Sequence, residues 1–258
     1  MKPEFKNRLF SLLVVAAVLL GWELVSRLHL VSTVFLPPAT VAFKALFVNT
    51  LNGTIPVAAA STLGRSLSGY FVAAVVGIGL GLGMGLWRPI RRVCEPVVEL
   101  LRPIPSAAII PVAILFLGID DAMKIAVIVF ACAWPILLNT LDGVLNIEPV
   151  LLETAQVFRL RSWHRVRAVV IPAAAPGIVT GLRISLAISL ILAVTVEMLA
   201  GNNGLGFLIL DTERSFQYAD MYAAIIAIGL IGLGANWVFV KLTRPWIHWH
   251  GIRRIAEI

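Results

Sequence analysis

Long apolar segments alternate with short polar and basic segments along this chain. Six of the apolar segments approach the roughly 20 residues that a helix needs to cross a bilayer. The predicted spans cover residues 9–28, 66–87, 103–119, 123–142, 172–200 and 221–241. This pattern predicts an all-α integral membrane protein with about six transmembrane helices in a single domain over residues 1–258.

The first apolar segment has the charge pattern of a signal peptide, because Lys2, Lys6 and Arg8 precede it. No small-residue A-x-A cleavage site follows, and the apolar run continues to about Leu28. We therefore expect an uncleaved first span.

The composition excludes an ordinary soluble domain. Apolar residues make up 59% of the chain and charged residues 14%, whereas soluble domains have about 45–50% and about 25%. The net charge of +7 would suggest nucleic acid in a soluble protein. In a membrane protein, basic residues gather in cytoplasmic loops instead. We therefore expect this chain to lie in a lipid bilayer and to bind no nucleic acid.

The distribution of basic residues predicts the orientation. With the N-terminus in the cytoplasm, the inside loops hold 15 Lys and Arg residues and the outside loops hold four. The inside residues are Lys2, Lys6, Arg8, Arg88, Arg91, Arg92, Arg102, Arg159, Arg161, Arg165, Arg167, Lys241, Arg244, Arg253 and Arg254. The outside residues are Arg27, Lys44, Lys124 and Arg214. This asymmetry predicts that both termini are cytoplasmic.

The inside loop over residues 143–171 carries the most specific pattern. It reads Glu153-Thr154-Ala155-Gln156-Val157-Phe158-Arg159, then nine residues, then Val169-Val170-Ile171-Pro172. It is similar to the EAA loop of ABC importer permeases, E-A-A-x-x-x-G, nine residues, I-x-L-P. Thr154 replaces the first alanine and Arg159 replaces the glycine. An arginine at that position must adopt a positive φ, or the turn must be built differently.

Further motifs, in the same order, resemble the nitrate/sulfonate/taurine (bicarbonate) subgroup of this family. They are Leu36-Pro37-Pro38, Ser61-x-x-x-Arg65-x-x-x-Gly69, Arg102-Pro103-Ile104-Pro105, Pro111, Leu117-Gly118, Pro176-x-x-x-x-Gly181-Leu182-Arg183, Glu197-Met198 and Gly204-Leu205-Gly206. The resemblance implies the type I ABC importer permease fold, with two copies lining one pathway in a bacterial cytoplasmic (inner) membrane. It also implies a small solute such as nitrate, bicarbonate, taurine or an alkanesulfonate.

The resemblance further implies that the 143–171 loop docks on ABC ATPase subunits. The expected coupling residues are Leu151, Leu152, Glu153, Ala155, Phe158, Arg159 and Pro172. The apolar ones recur at helical spacing and are expected to fill a groove of the ATPase, while the charged ones contact its rim. An alternative is a basic helix that lies on anionic lipid.

The chain has no phosphate-binding P-loop, because none of its lysines follows a glycine. ATP and Mg are therefore expected on two partner ATPase subunits, and this chain is expected to hold no cofactor and to catalyse no reaction. By resemblance, an extracytoplasmic substrate-binding protein should dock on the 29–61 and 201–220 loops. ATP-driven alternating access would be the mechanism.

Ionisable residues in or beside the spans are functional candidates, because charge is costly in a membrane. We expect Arg65 and Glu197 to pair across helices and to help hold an outer gate. The alternative is a snorkelling arginine and an interfacial glutamate. Arg183 either faces an anion in the pathway or makes a helix–helix contact. Pro105 either lies in an irregular pathway-lining segment or kinks a helix.

Gly77, Gly81 and Gly85 share one helix face at i,i+4 spacing, which favours close helix packing over a gating hinge. Two rival functions remain. A secondary transporter would show intramembrane ion ligands and often a repeated half, and a membrane enzyme would show clustered catalytic side chains. The sequence offers neither pattern, and its histidines, His29, His164, His248 and His250, do not form a metal set.

Overall fold

The computed structural model describes residues 3–246, with the side chains of Phe10 and of residues 13–246, and it contains no strand within that range. The basic residues Lys2, Arg253 and Arg254 and the histidines His248 and His250 lie outside the described residues. The helices are α1 (Pro3–Arg27), α2 (Ala39–Leu51), α3 (Thr54–Leu86), α4 (Arg88–Leu101), α5 (Ile110–Leu117), α6 (Asp121–Leu145), α7 (Pro149–Val157), α8 (Ser162–Arg165), α9 (Ile171–Ala200), α10 (Leu205–Arg214) and α11 (Tyr218–Thr243).

Four helical segments in the described part are long and apolar enough to cross a membrane, or five if the bent pair α4–α5 counts as one span. Together with that pair, they overlap five of the predicted spans. The remaining predicted span, 9–28, lies in α1, which carries Glu23 and Arg27 in its last two turns.

The predicted span 103–119 is not one straight helix. The segment Arg88–Leu101 and the segment Ser106–Leu117 meet at 89°. The bend falls at Pro103 and Pro105, whose missing amide hydrogens cannot continue a helical ladder. Pro111 lies in the first turn of α5, where no helical donor is needed. A continuous kinked helix, one of the two interpretations of Pro105, is therefore wrong.

The predicted span 172–200 begins ten residues earlier than expected. The helix runs from Ser162 to Ala200 through a π turn over Val166–Val170, in which the amide of Ile171 donates to the carbonyl of Val166. The next residue, Pro172, has no amide to donate and clashes with a regular preceding turn. The wider turn accommodates the proline, so Pro172 lies inside a helix rather than at its start.

The described chain forms two compact units. The first comprises the residues up to Ser61 together with Asn202–Leu230. Within it, Leu36-Pro37-Pro38 is tied to the end of α1, because the Trp22 indole donates to the Pro37 carbonyl at 3.0 Å and the Ser26 hydroxyl to the Leu36 carbonyl at 2.7 Å. This motif therefore has a structural role in joining α1 to α2.

The second unit comprises Thr62–Gly201 and the described residues from Ile231. Its core surrounds α6, which packs against α3 on one side and α9 on another. An added Cβ at Gly77 would lie 2.9 Å from Ile136 Cβ, and one at Gly81 would lie 2.7 Å from Thr140 Cβ. The glycine face of α3 therefore allows close approach to α6, as the sequence predicts.

The contact between α6 and α9 is equally close. An added Cβ at Gly177 would lie 2.6 Å from the Asn139 carbonyl oxygen, and one at Gly181 would lie 2.8 Å from the Pro135 carbonyl oxygen. The Ser185 hydroxyl also donates to the Cys132 carbonyl at 2.8 Å. Helices α3, α6 and α9 thus form a tightly packed group.

Candidate functional sites

Five polar side chains from α3, α6 and α9 meet in one place, which we call the charge cluster: Thr62, Arg65, Asp121, Lys124 and Glu197. Arg65 donates from Nη1 to Glu197 Oε1 at 2.6 Å and from Nε to Asp121 Oδ1 at 2.8 Å. Lys124 Nζ donates to Asp121 Oδ1 at 3.3 Å. The Thr62 hydroxyl donates to Glu197 Oε2 at 2.8 Å. Arg65 therefore bridges three helices.

The charge cluster is almost entirely buried. Arg65 is 4% exposed, Lys124 2%, and Thr62 and Glu197 0%. The Asp121 side chain is the exception, at 62% exposed. Two cations face two carboxylates, so the buried charges compensate one another, which low-dielectric surroundings require.

The predicted pairing of Arg65 with Glu197 across helices is confirmed, and the alternative of two separate interfacial residues is wrong. Their role in an outer gate stays a prediction. Sequence reasoning placed Lys124 in an outside loop and did not consider Asp121. The sequence contains a signal for this pair: an acidic residue and, three positions later, a lysine lie at the start of an apolar helix.

Arg183 lies elsewhere, on the part of α9 nearer its middle. Its Nε donates to Asn236 Oδ1 on α11 at 3.2 Å. Of the two interpretations given above, the structure shows the helix–helix contact.

The second candidate site is the α7–α8 loop, which lies at the other end of α6 and α9 from the charge cluster. At 1.5 Å per residue, α6 separates the two sites by roughly 36 Å. The loop begins with Pro149 in the first turn of α7. Proline is favoured there because its fixed φ suits a helix start and its missing amide costs nothing.

Arg159 ends α7 in a left-handed conformation, with φ of 48°. The Arg159 amide donates to the Gln156 carbonyl and the Leu160 amide to the Ala155 carbonyl, at 2.8 and 3.1 Å. These two bonds form a Schellman motif, in which glycine is the usual residue. Of the two alternatives for this position, the structure shows the positive φ, so the turn typical of the EAA loop is built without its glycine.

Some apolar side chains of α7 are covered by the rest of the chain, and others are exposed. Ala155 is 2% exposed, and the half-buried Leu152 packs on a cluster containing Val144, Val170 and Ala174. Both therefore contact this chain's own core. The expectation that Ala155 fills a groove of a partner is wrong, because the close packing of α7 on its own chain already covers it.

Four other apolar side chains of this segment are exposed. The side chains of Val150, Leu151, Val157 and Phe158 are 67%, 43%, 80% and 74% exposed. Trp163 on α8 is 67% exposed. Glu153 and Arg159 are exposed beside them. We call Val150, Leu151, Val157 and Phe158, the last of which directly follows α7, the apolar face of α7. Its large exposed side chains are typical of a surface that binds another protein.

Comparison with known proteins agrees with this architecture. Residues 73–244 match the family described as binding-protein-dependent transport system inner membrane component. The taurine transport system permease protein TauC of Escherichia coli (strain K12) is 30% identical over 254 residues, which are 96% of this chain and 92% of that protein.

A second relative is the bicarbonate transport system permease protein CmpB of Synechococcus elongatus. It is 34% identical over 188 residues, 72% of this chain and 67% of that protein. Among solved structures, an inward-facing conformation of the MetNI methionine ABC transporter superposes with a TM-score of 0.63 at 20% identity, covering 72% of this chain and 93% of that chain. The chain therefore belongs to the binding-protein-dependent transport system inner membrane component family, whose members are multi-pass permease subunits of ABC importers.

Proposed function

We propose that two copies of this chain line the pathway of an ATP-driven importer in a bacterial cytoplasmic membrane. Both termini are cytoplasmic, and the α7–α8 loop lies on the cytoplasmic side. The observation that carries the proposal is the apolar face of α7, exposed on a loop between two spans in a chain of this family. Two ATPase subunits, which hold ATP and Mg, dock on this loop.

The mode of docking follows from the side chains. Val157 and Phe158, the most exposed side chains of the apolar face of α7, insert into a groove of the ATPase, while Glu153 and Arg159 contact its rim. Leu152 instead joins α7 to the core around Val170 and Ala174. A displacement of α7 is thereby passed to α6 and α9, which is the coupling that alternating access needs.

The extracytoplasmic substrate-binding protein docks on the first compact unit. The predicted outside loops, 29–61 and 201–220, fall largely within this one unit. Asn49 Nδ2 donates to Asp220 Oδ1 at 2.6 Å, and the rings of Phe35 and Tyr218 lie 5.4 Å apart. Segments distant in sequence therefore offer one continuous surface.

The solute is a small anion or amino acid-like sulfonate, such as bicarbonate or taurine. This proposal rests on the names of the relatives TauC and CmpB. Binding specificity resides mainly in the separate binding protein.

Native mass spectrometry of the gently solubilised complex, expressed with its neighbouring genes, tests the assembly. We expect two copies of this chain bound to two ATPase chains. An oligomer without ATPase chains would contradict the proposal. Uptake that persists in vesicles without ATP or ATPase would favour a secondary transporter instead.

A further inference from the structure

The charge cluster joins three helices whose paired residues lie 56 and 132 positions apart in the sequence. Arg65 lies on α3, Asp121 and Lys124 on α6, and Glu197 on α9, and each cation reaches a carboxylate within 3.3 Å. The N-terminal end of α6 and the C-terminal end of α9 therefore meet α3 through ion pairs.

These ion pairs are difficult to separate. Arg65 and Glu197 are 4% and 0% exposed. If the helices moved apart, each partner would be left in a low-dielectric setting without its counter-charge, which is strongly unfavourable. Lys124, which is 2% exposed, donates to Asp121 on its own helix, so it adds a buried cation at the end of α6 rather than a further bond between helices.

The packing beside the charge cluster also opposes separation. The Ser66 and Ser189 hydroxyls lie 2.9 Å apart, joining α3 to α9, and both residues are buried. Further along, the glycines of α3 and α9 contact α6 without room for a methyl group. Ion pairs, a hydroxyl pair and close backbone packing therefore all hold the same three helices.

We propose that Arg65, Asp121, Lys124 and Glu197 form a fixed joint that keeps α3, α6 and α9 together throughout the transport cycle. The joint differs from the outer gate predicted from the sequence, because a gate at these residues must open in each cycle. In a fixed joint the three helices move as one body, and the pathway opens along another surface. This inference rests on the proposed transport function.

A disulfide between α3 and α9 separates the two ideas. Ser66→Cys and Ser189→Cys, in a Cys94→Ala, Cys132→Ala background, place two sulfurs where the hydroxyls are already in contact, and a disulfide needs about 2.0 Å. The complete complex with its ATPase and binding protein is reconstituted in vesicles. Uptake of radiolabelled taurine, ethanesulfonate or bicarbonate is measured after oxidation and again after reduction.

For a fixed joint, we expect the disulfide to form readily and uptake to stay within about twofold of the reduced protein. Uptake that is lost on oxidation and regained on reduction would overturn the joint in favour of a gate. Failure of the two cysteines to cross-link would also overturn it. The variants with only Ser66→Cys or only Ser189→Cys are the matched controls. Absence of uptake in the reduced protein would count against the proposed function instead.

A rescue experiment tests the role of the ion pairs without a transported solute. Glu197→Gln should lower the melting temperature of the complex, and oxidation of the same cysteine pair in that variant should restore it. Restoration would show that Glu197 acts by holding the helices together. A melting temperature that stays low with the disulfide formed would contradict the joint.

Discussion

The two ends of α6 and α9 differ in which side chains are buried and which are exposed. At one end, the charge cluster places polar side chains in the interior and satisfies them within the chain. At the other end, the α7–α8 loop places Val157 and Phe158 on the surface and leaves Arg159 in an unfavourable backbone conformation. The charge cluster pairs its polar groups within the chain, while the α7–α8 loop exposes apolar surface that a partner would cover.

The proposed fixed joint and the proposed docking loop each need one of these two properties. A compensated buried cluster costs energy whenever it opens, so it suits a region that stays closed. Exposed apolar side chains gain free energy when a second protein covers them, so they suit an interface. Helices α6 and α9 connect the two regions without interruption, and a movement at the loop therefore acts on the closed end as well.

The largest effect is expected at the charge cluster. Replacing Glu197 by Ala leaves Arg65 without its buried counter-charge and should lower the free energy of unfolding by about 3–5 kcal/mol. Thermal unfolding of the purified subunit in detergent measures the loss. The exposed pair of Arg91 and Glu95, 3.4 Å apart, provides the control, because Glu95→Ala should cost about 1 kcal/mol or less. Equal losses of unfolding free energy in the two variants would show that the charge cluster stabilises the subunit no more than an exposed ion pair does.

The packing between α3 and α6 should be nearly as sensitive. Gly81→Ala places a methyl group 2.7 Å from Thr140 Cβ and 2.8 Å from the Leu137 carbonyl oxygen, and overpacking of this kind costs about 1–3 kcal/mol. Gly79→Ala on the same helix meets nothing within 4 Å. The control should be neutral or slightly stabilising, by up to about 1 kcal/mol. Similar melting temperatures for the two variants would contradict the close contact.

The apolar face of α7 should respond in binding rather than in stability. Phe158→Asp removes an exposed aromatic side chain and should weaken ATPase binding by about 2 kcal/mol, roughly thirtyfold. Co-purification and titration of the ATPase onto the solubilised permease measure this loss. Gln156→Asp adds the same charge on the same helix and should have little effect. If Phe158→Asp unfolded the subunit without the ATPase present, the surface would be structural rather than a docking site.

The smallest effect is expected at the turn that ends α7. Arg159→Gly removes the cost of a positive φ and should stabilise the subunit by about 1 kcal/mol. Arg161→Gly, at a position with φ of −59°, is the matched control and should not stabilise. ATPase activity in the reconstituted complex shows whether the arginine side chain also contributes to coupling. If Arg159→Gly were less stable, the contacts of the arginine side chain would contribute more stability than its positive φ costs.

Several structural features follow from local rules, and the sequence predicts these well. Pro149 is a residue type that suits the helix start where it lies, the i,i+4 glycines of α3 pack closely, and Arg159 takes one of the two conformations expected for its turn. The boundaries of the spans were less predictable. Pro172 lies within a continuous helix because a π turn accommodates it, and hydropathy alone carries no information on that turn.

The amino-acid sequence by itself determined the class of this protein, the family and the position of the EAA-like loop, because apolar length and short motifs are properties of the chain. It also indicated a partner for Arg65, since an isolated buried charge is untenable in a membrane. Only the tertiary structure decided that Asp121 and Lys124 complete the charge cluster and that Ala155 faces inward while Phe158 faces outward. Those outcomes depend on how α6 packs against α3 and α9, and on which face of α7 the neighbouring core covers first.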